Sequence, residues 1–251
     1  MSEKIIGIMA AMPEEIDGVV KLIQQPQELL IGGRVYTKGI IAGKQVVVVF
    51  SRWGKVAAAS TATTLIDVFN VNQIFFTGIA GGIHDDIKVG DIVIASSCVF
   101  HDMDTRPLND RFVVPLINQK FFELPITESL IRKLEYQFSS NNMHKIVALD
   151  WIDYFDLTNV KIFHRVIASG DQFINSELTK NDLRINLPEV ACVEMEGAAV
   201  AQVCFEHDVP CMIVRTISDS ANHSAATDFE PFAKHVASHY SVAIIEVLIS
   251  D

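Results

Sequence analysis

Two strand ends constrain this chain more than any other feature. Residues 189–204 pass from an apolar stretch through Val193-Glu194-Met195-Glu196-Gly197 into small residues at helical spacing. Further on, Met212-Ile213-Val214 reads as a buried strand whose end carries Arg215, Ser218 and Asp219. A carboxylate at the edge of a core costs several kcal/mol of desolvation unless something binds it. In α/β sheets, ligands sit at the carboxyl ends of strands. Two such ends, both rich in polar groups, predict one pocket for a small polyhydroxylated or nitrogenous molecule.

The rest of the chain supplies a frame for that pocket. Residues 4–9 read as a buried first strand leading to Pro13, Glu14 and Glu15, which suit a helix N-terminus. Taken locally, the two acids do no more than complement the helix dipole, and Val19, Val20, Leu22 and Ile23 continue that helix. Residues 35–41 and 45–51 predict a hairpin around Ala42-Gly43-Lys44. Past Gly54 the period changes to that of a small-residue helix reaching about Phe69, and 73–77 form another buried strand. The glycine-rich turn expected at 78–83 fits neither G-x-G-x-x-G nor a P-loop, which excludes a dinucleotide or triphosphate site.

Residues 89–95 read as a strand running toward His101, Asp102 and Asp104. That trio has no matching ligand set elsewhere and is read as a loop hydrogen-bond network, not a metal site. His235 and His239 lie four apart on a helix without the glutamate of a zinc-protease motif, so they are packing or surface residues. Residues 105–142 are polar and irregular, with a helix expected at 128–138. A strand at 161–168 and a final amphipathic helix at 232–249 complete the pattern. Strands alternating with helices predict a three-layer α/β/α domain.

Composition narrows the function classes. At 251 residues and 49% hydrophobic, the chain suffices for one large core, read as a single domain over 1–251. A formal charge of -11 argues against binding nucleic acid through phosphates. The N-terminus lacks the layout of a signal peptide, and no apolar segment is long enough to span a bilayer. Cys98, Cys192, Cys204 and Cys211 have no C-x-x-C spacing and fit buried thiols in a reducing compartment. The expectation is a cytoplasmic protein with a small-molecule ligand, no membrane and no nucleic acid.

Six segments in order carry a family pattern: Gly7-Ile8-Met9-Ala10-Ala11-Met12-Pro13-Glu14-Glu15, Gly54-Lys55-Val56-Ala57-Ala58-Ala59, Thr77-Gly78-Ile79-Ala80-Gly81-Gly82, Ser169-Gly170-Asp171-Gln172-Phe173-Ile174-Asn175, Val193-Glu194-Met195-Glu196 and Arg215-Thr216-Ile217-Ser218-Asp219. Together the chain resembles bacterial 5′-methylthioadenosine/S-adenosylhomocysteine nucleosidases, from about residue 4 to the C-terminal helix. The resemblance implies a nucleoside phosphorylase/hydrolase-like fold with a mixed central sheet, a homodimer, and hydrolysis of an adenosine N-glycosidic bond without metal or cofactor. It implies that Asp219 protonates adenine N7 with Ser218 orienting it, and that Glu15 is the base for water held with help from Glu196 and Arg215. Glu196 would also accept from the ribose hydroxyls, with Met195 against the sugar. Phe173 would stack on adenine and the Ile174 backbone would read its edge, while Met12 and Phe229 line the sugar and 5′-substituent pocket. Glu194 is given no chemical role.

Three places depart from the family pattern. Ile79 stands where many members have Ser, Trp53 where a smaller aliphatic residue is usual, and residues 101–116 keep His-Asp-x-Asp but then diverge. These bear on which 5′-substituent is preferred. The alternatives are an aminofutalosine-type nucleosidase, a phosphorylase of the same fold, or a silent nucleoside-binding protein. Against phosphorolysis, the acidic Glu14-Glu15 pair, with no arginine between Gly7 and Arg34, suits water and repels phosphate.

Overall fold

A computed structural model describes residues 4–222 and 225–250. Met1 to Glu3, part of the stretch read against a signal peptide, lie outside the described residues. The order is β1 (Ile5–Ala10), α1 (Pro13–Val20), β2 (Gln24–Ile31), β3 (Arg34–Ile41), β4 (Lys44–Phe50), α2 (Lys55–Asp67), β5 (Gln73–Gly82), β6 (Ile92–Phe100) and β7 (Phe122–Glu123). There follow α3 (Glu128–Gln137), α4 (Ser140–Ile146), α5 (Leu149–Phe155), β8 (Ile162–Ser169), α6 (Glu177–Asn186), β9 (Val190–Glu194), α7 (Gly197–Glu206), β10 (Cys211–Asp219), α8 (Ala225–Phe232) and α9 (Ser238–Ser250).

The strands form one mixed sheet in the order β10-β6-β8-β9-β5-β1-β4-β3-β2, and β10 also pairs with β5. One end of the sheet therefore closes on itself, while the β2 end stays open. Period-two alternation sorts the core onto two faces. Ile6, Ile8, Val46, Val48, Phe75 and Val214 pack under α1, α3 and α9. Met9, Val47, Val49, Ile74, Phe76 and Ile213 pack under α2 and α7. The three layers expected from alternation are thus present, with the mixed sheet between them.

Several local expectations are corrected. The first helix ends at Val20, and Leu22 and Ile23 do not continue it. The chain instead enters β2, an edge strand with Pro26 at the register shift between Gln24 and Gln27. A missing N–H is tolerated there because an edge or bulge demands no ladder partner. The glycine-rich segment 78–82 is not a turn but the buried end of β5, paired with β10 and β9. The strand read at 89–95 starts later, at Ile92, and runs on to Phe100. Residues 105–142, read as irregular but for one helix, also contain β7 and the start of α4. The final helix begins earlier, as α8, and passes through a π turn at Ala233–Ala237 into α9. His235 stacks on Trp151 with ring centroids 4.0 Å apart, and His239 is exposed.

Candidate active site

The ends of β1, β5, β9 and β10 converge on a cavity of about 480 Å³. Its wall is formed by Met12, Glu15, Trp53, Ile79, Phe173, Glu194, Met195, Glu196, Ser218, Asp219 and Phe229, among others. Of the residues read from the sequence, Ile174 lines a narrower recess beside it, shared with Phe173, Met195 and Asp219. Arg215 lines neither the cavity nor the recess; it lies beneath, 1% exposed.

Glu15 occupies the first turn of α1 and folds back on its own N-terminus. Its Oε2 accepts hydrogen bonds from the N–H groups of Ala11 and Met12, both at 2.8 Å, and Oε1 accepts from Ile79 N–H at 3.0 Å. A helix-start glutamate ordinarily satisfies unpaired N–H groups in this way at the surface. Glu14 does stay exposed, but Glu15 is 2% exposed, and burial pushes its carboxyl above the ordinary range despite Arg215 and the three N–H donors. Gly78 makes room for it: a Cβ there would stand 2.9 Å from Glu15 Oε1.

Glu196, just past β9, accepts from Gly54 N–H at 2.8 Å. Burial, and then the neighbouring charge of Glu194, push it up to about 8. A ligand that offers hydroxyl donors to Glu196 would favour its charged form and work against this shift. At the end of β10, Asp219 Oδ2 accepts from the Ser218 hydroxyl at 2.8 Å, and Oδ1 accepts from Ala221 N–H at 2.8 Å. It thus also closes its own turn, the modest role that local sequence assigns to such an aspartate. A Cβ on Gly81 would come within 2.8 Å of Asp219 Oδ1, which is why glycine stands there.

Glu194 is the residue whose part sequence reasoning missed. Its carboxylate accepts from the guanidinium of Arg215 at 2.7 Å, from the N–H groups of Glu196 and Gly197, and from the Ser169 hydroxyl. Arg215 also donates to the Phe76 carbonyl and stacks on the Phe76 ring, 4.1 Å from its centroid. Burial works against its charge, but Glu194, then Glu15 and Glu196, outweigh it and hold Arg215 above its ordinary value. Arg215, which the family resemblance has helping to hold the water, lies beneath the cavity with its guanidinium on Glu194 and its charge close to the acids above. A signal was present in β9, where Glu194 shares strand parity with fully buried Cys192 and so points into a core that demands a partner.

On the opposite side Phe173 stands at the mouth, edge-on to Phe229 with centroids 5.8 Å apart. Ala11, Met12, Trp53 and Phe229 continue from the cavity into an outer lobe that also takes in Arg52 and Lys234. Among the described residues the inner cavity is lined by no lysine, arginine or histidine. Nor does any group of described residues have the arrangement of a metal site, the His101, Asp102 and Asp104 loop included.

An acceptor-rich, aromatic-sided cavity at the strand ends of a mixed sheet defines an α/β protein with a pocket suited to a small ligand rich in hydrogen-bond donors. The chain belongs to the phosphorylase superfamily, whose family model matches residues 5–249. It is 34% identical to the 5′-methylthioadenosine/S-adenosylhomocysteine nucleosidase of Shewanella denitrificans, over 98% of this chain and 99% of that one. It is also 34% identical to the aminodeoxyfutalosine nucleosidase of Helicobacter pylori, over 98% of each. A solved Helicobacter pylori nucleosidase mutant with 5′-methylthioadenosine in its active site matches at a TM-score of 0.83 and 31% identity, over 100% of each chain.

Proposed function

We propose that this chain hydrolyses the N-glycosidic bond of 5′-methylthioadenosine and S-adenosylhomocysteine, releasing adenine and the 5′-thioribose. The observation that carries this reading is the placement of Asp219 with Ser218, Glu196, and Glu15 around one cavity that, among the described residues, no lysine, arginine or histidine lines. Asp219 delivers a proton to adenine N7, making the base a competent leaving group, and Ser218 orients the carboxyl. Glu15 takes the proton from the attacking water; its backbone donors aim the carboxylate. Glu196 accepts from the ribose hydroxyls and, once ionised, stabilises the oxocarbenium-like charge developing on the sugar. Phe173 covers the base and Ile174 presents its backbone to the base edge, while Met12, Ile79, Met195 and Phe229 form the apolar surroundings of the sugar and 5′-group.

Phosphorolysis is disfavoured because an oxyanion nucleophile needs cationic donors, and here it would meet Glu15, Glu194 and Glu196 instead. Adenine release assayed with and without phosphate tests this directly. A second reading, aminodeoxyfutalosine cleavage, is favoured by the Helicobacter relative and by the wide outer lobe with Arg52 and Lys234, which would accommodate a larger, acidic 5′-group. Relative kcat/KM values across the three nucleosides decide between them. We further propose a cytoplasmic homodimer: the four cysteines are free thiols, and Val56, Leu108 and Leu116 are exposed apolar groups suited to a subunit contact. Sedimentation at micromolar concentration tests the assembly.

A further inference from the structure

Two loops reach the cavity, 51–54 after β4 and 170–176 after β8, and a third segment, starting at His101 after β6, packs against them. One cluster ties all three together outside the cavity. Lys55 Nζ lies 2.6 Å from Asp102 Oδ2 and 3.5 Å from Asp171 Oδ2. Asp102 Oδ2 also accepts from Asp171 N–H at 3.0 Å, and Asp171 Oδ1 accepts from Lys55 N–H at 2.9 Å. The side chains of Lys55 and Asp102 are only 24% and 19% exposed, so that pair is better shielded than an ordinary surface pair, while Asp171 is half exposed. Gly54, the neighbour of Lys55, sits at a φ of 91°, and a Cβ on it would meet Asp171 Oδ1 at 3.0 Å. Its N–H makes the one hydrogen bond that the Glu196 carboxylate accepts among the described residues.

We propose that Lys55, Asp102 and Asp171 are positioning residues that hold the Gly54 N–H on Glu196 and fasten the loop carrying Phe173 and Ile174 to the same point. The inference rests on the nucleosidase reading for its catalytic consequence, though not for its geometry. None of the three lines the cavity, so they act through Gly54 and not on the substrate. The groups facing Glu196 divide cleanly. Glu194 on β9 and Glu15 on α1 oppose its ionisation, whereas the Gly54 N–H and Arg215 on β10 favour it. Of the two favourable contacts, Arg215 is locked beneath the floor, and the Gly54 contact depends on where its loop is held. The clamp thereby links seating of the base to the readiness of the sugar-side acid to ionise.

The test uses Lys55→Met, Lys55→Arg and Asp102→Asn in the full chain. Two readouts apply: carboxyl-carbon NMR titration of glutamates, with Glu196 assigned through Glu196→Gln, and pH profiles of kcat/KM for adenine release. In Lys55→Met the Glu196 titration moves up by about half a unit to one unit as its donor loosens. At pH 7 kcat/KM falls by about three- to tenfold, the weight of a weakened hydrogen bond to a charged group. Activity recovers at alkaline pH, and Lys55→Arg restores both readouts. Asp102→Asn behaves as Lys55→Met does. An unmoved titration, or a loss of activity equal at every pH, overturns the proposal. Should the wild type release no adenine while the titration still moves in Lys55→Met and returns in Lys55→Arg, the nucleosidase reading falls and the clamp stands.

Discussion

The floor and the walls of the cavity both carry buried carboxylates, and they hold them in opposite ways. On the floor, Glu194 is saturated by a guanidinium, a hydroxyl and two N–H groups. On the walls, among the described residues, Glu15 accepts from backbone N–H groups and Glu196 from the Gly54 N–H. Burial pushes both wall acids above the ordinary carboxylate range, where each can gain and lose a proton. Glu194 and Glu196 are two residues apart in sequence, so burial alone does not mark chemistry. The partner does.

The sharpest way to break this contrast is to remove a wall acid. Glu15→Gln keeps acceptor shape at one oxygen but cannot take a proton, and turnover is expected to drop by about 10²–10⁴-fold in steady-state assays. Next comes the floor. Arg215→Met leaves Glu194 buried without its cation and is expected to lower stability by about 3–5 kcal/mol in urea unfolding. Adding Glu194→Leu to it should recover much of that loss, because an apolar pair leaves no stranded charge.

A smaller effect concerns pH. Glu15 and Glu196 bind protons in the folded state above the ordinary carboxylate range, Glu196 up to about 8. The unfolded chain has already released those protons, so stability falls as pH rises from the ordinary range through the folded values. Thermal melts of the ligand-free protein should therefore decline toward alkaline pH, less steeply in Glu196→Gln. The smallest effect is expected for Phe173→Ala, at the exposed mouth. It should raise KM by about five- to tenfold through lost stacking, with kcat less affected.

Much of this arrangement was legible in the sequence, because strand ends and the order of motifs are local. The strands read at 4–9, 45–51, 73–77 and 212–214 are those of β1, β4, β5 and β10, and Glu15, Glu196 and Asp219, which the family resemblance picked out, do meet around one cavity. What escaped reading was set by distant pairing. The polar, proline-bearing Gln24–Ile31 is a strand only because β3 pairs with it. The glycines of β5 look like a turn until β9 and β10 close against them. The place of Arg215 depends on Glu194, and that of Lys55 on Asp102 and Asp171, which no spacing along the chain brings together.

The most direct test is adenine release by wild type and Asp219→Asn in phosphate-free and phosphate-containing buffer, with 5′-methylthioadenosine binding measured in parallel. The expected result is phosphate-independent release by the wild type, yielding free methylthioribose. The variant should bind the nucleoside but release almost no adenine. Formation of a ribose 1-phosphate, or unchanged turnover in Asp219→Asn, would contradict hydrolysis driven by this acid and the wall carboxylates.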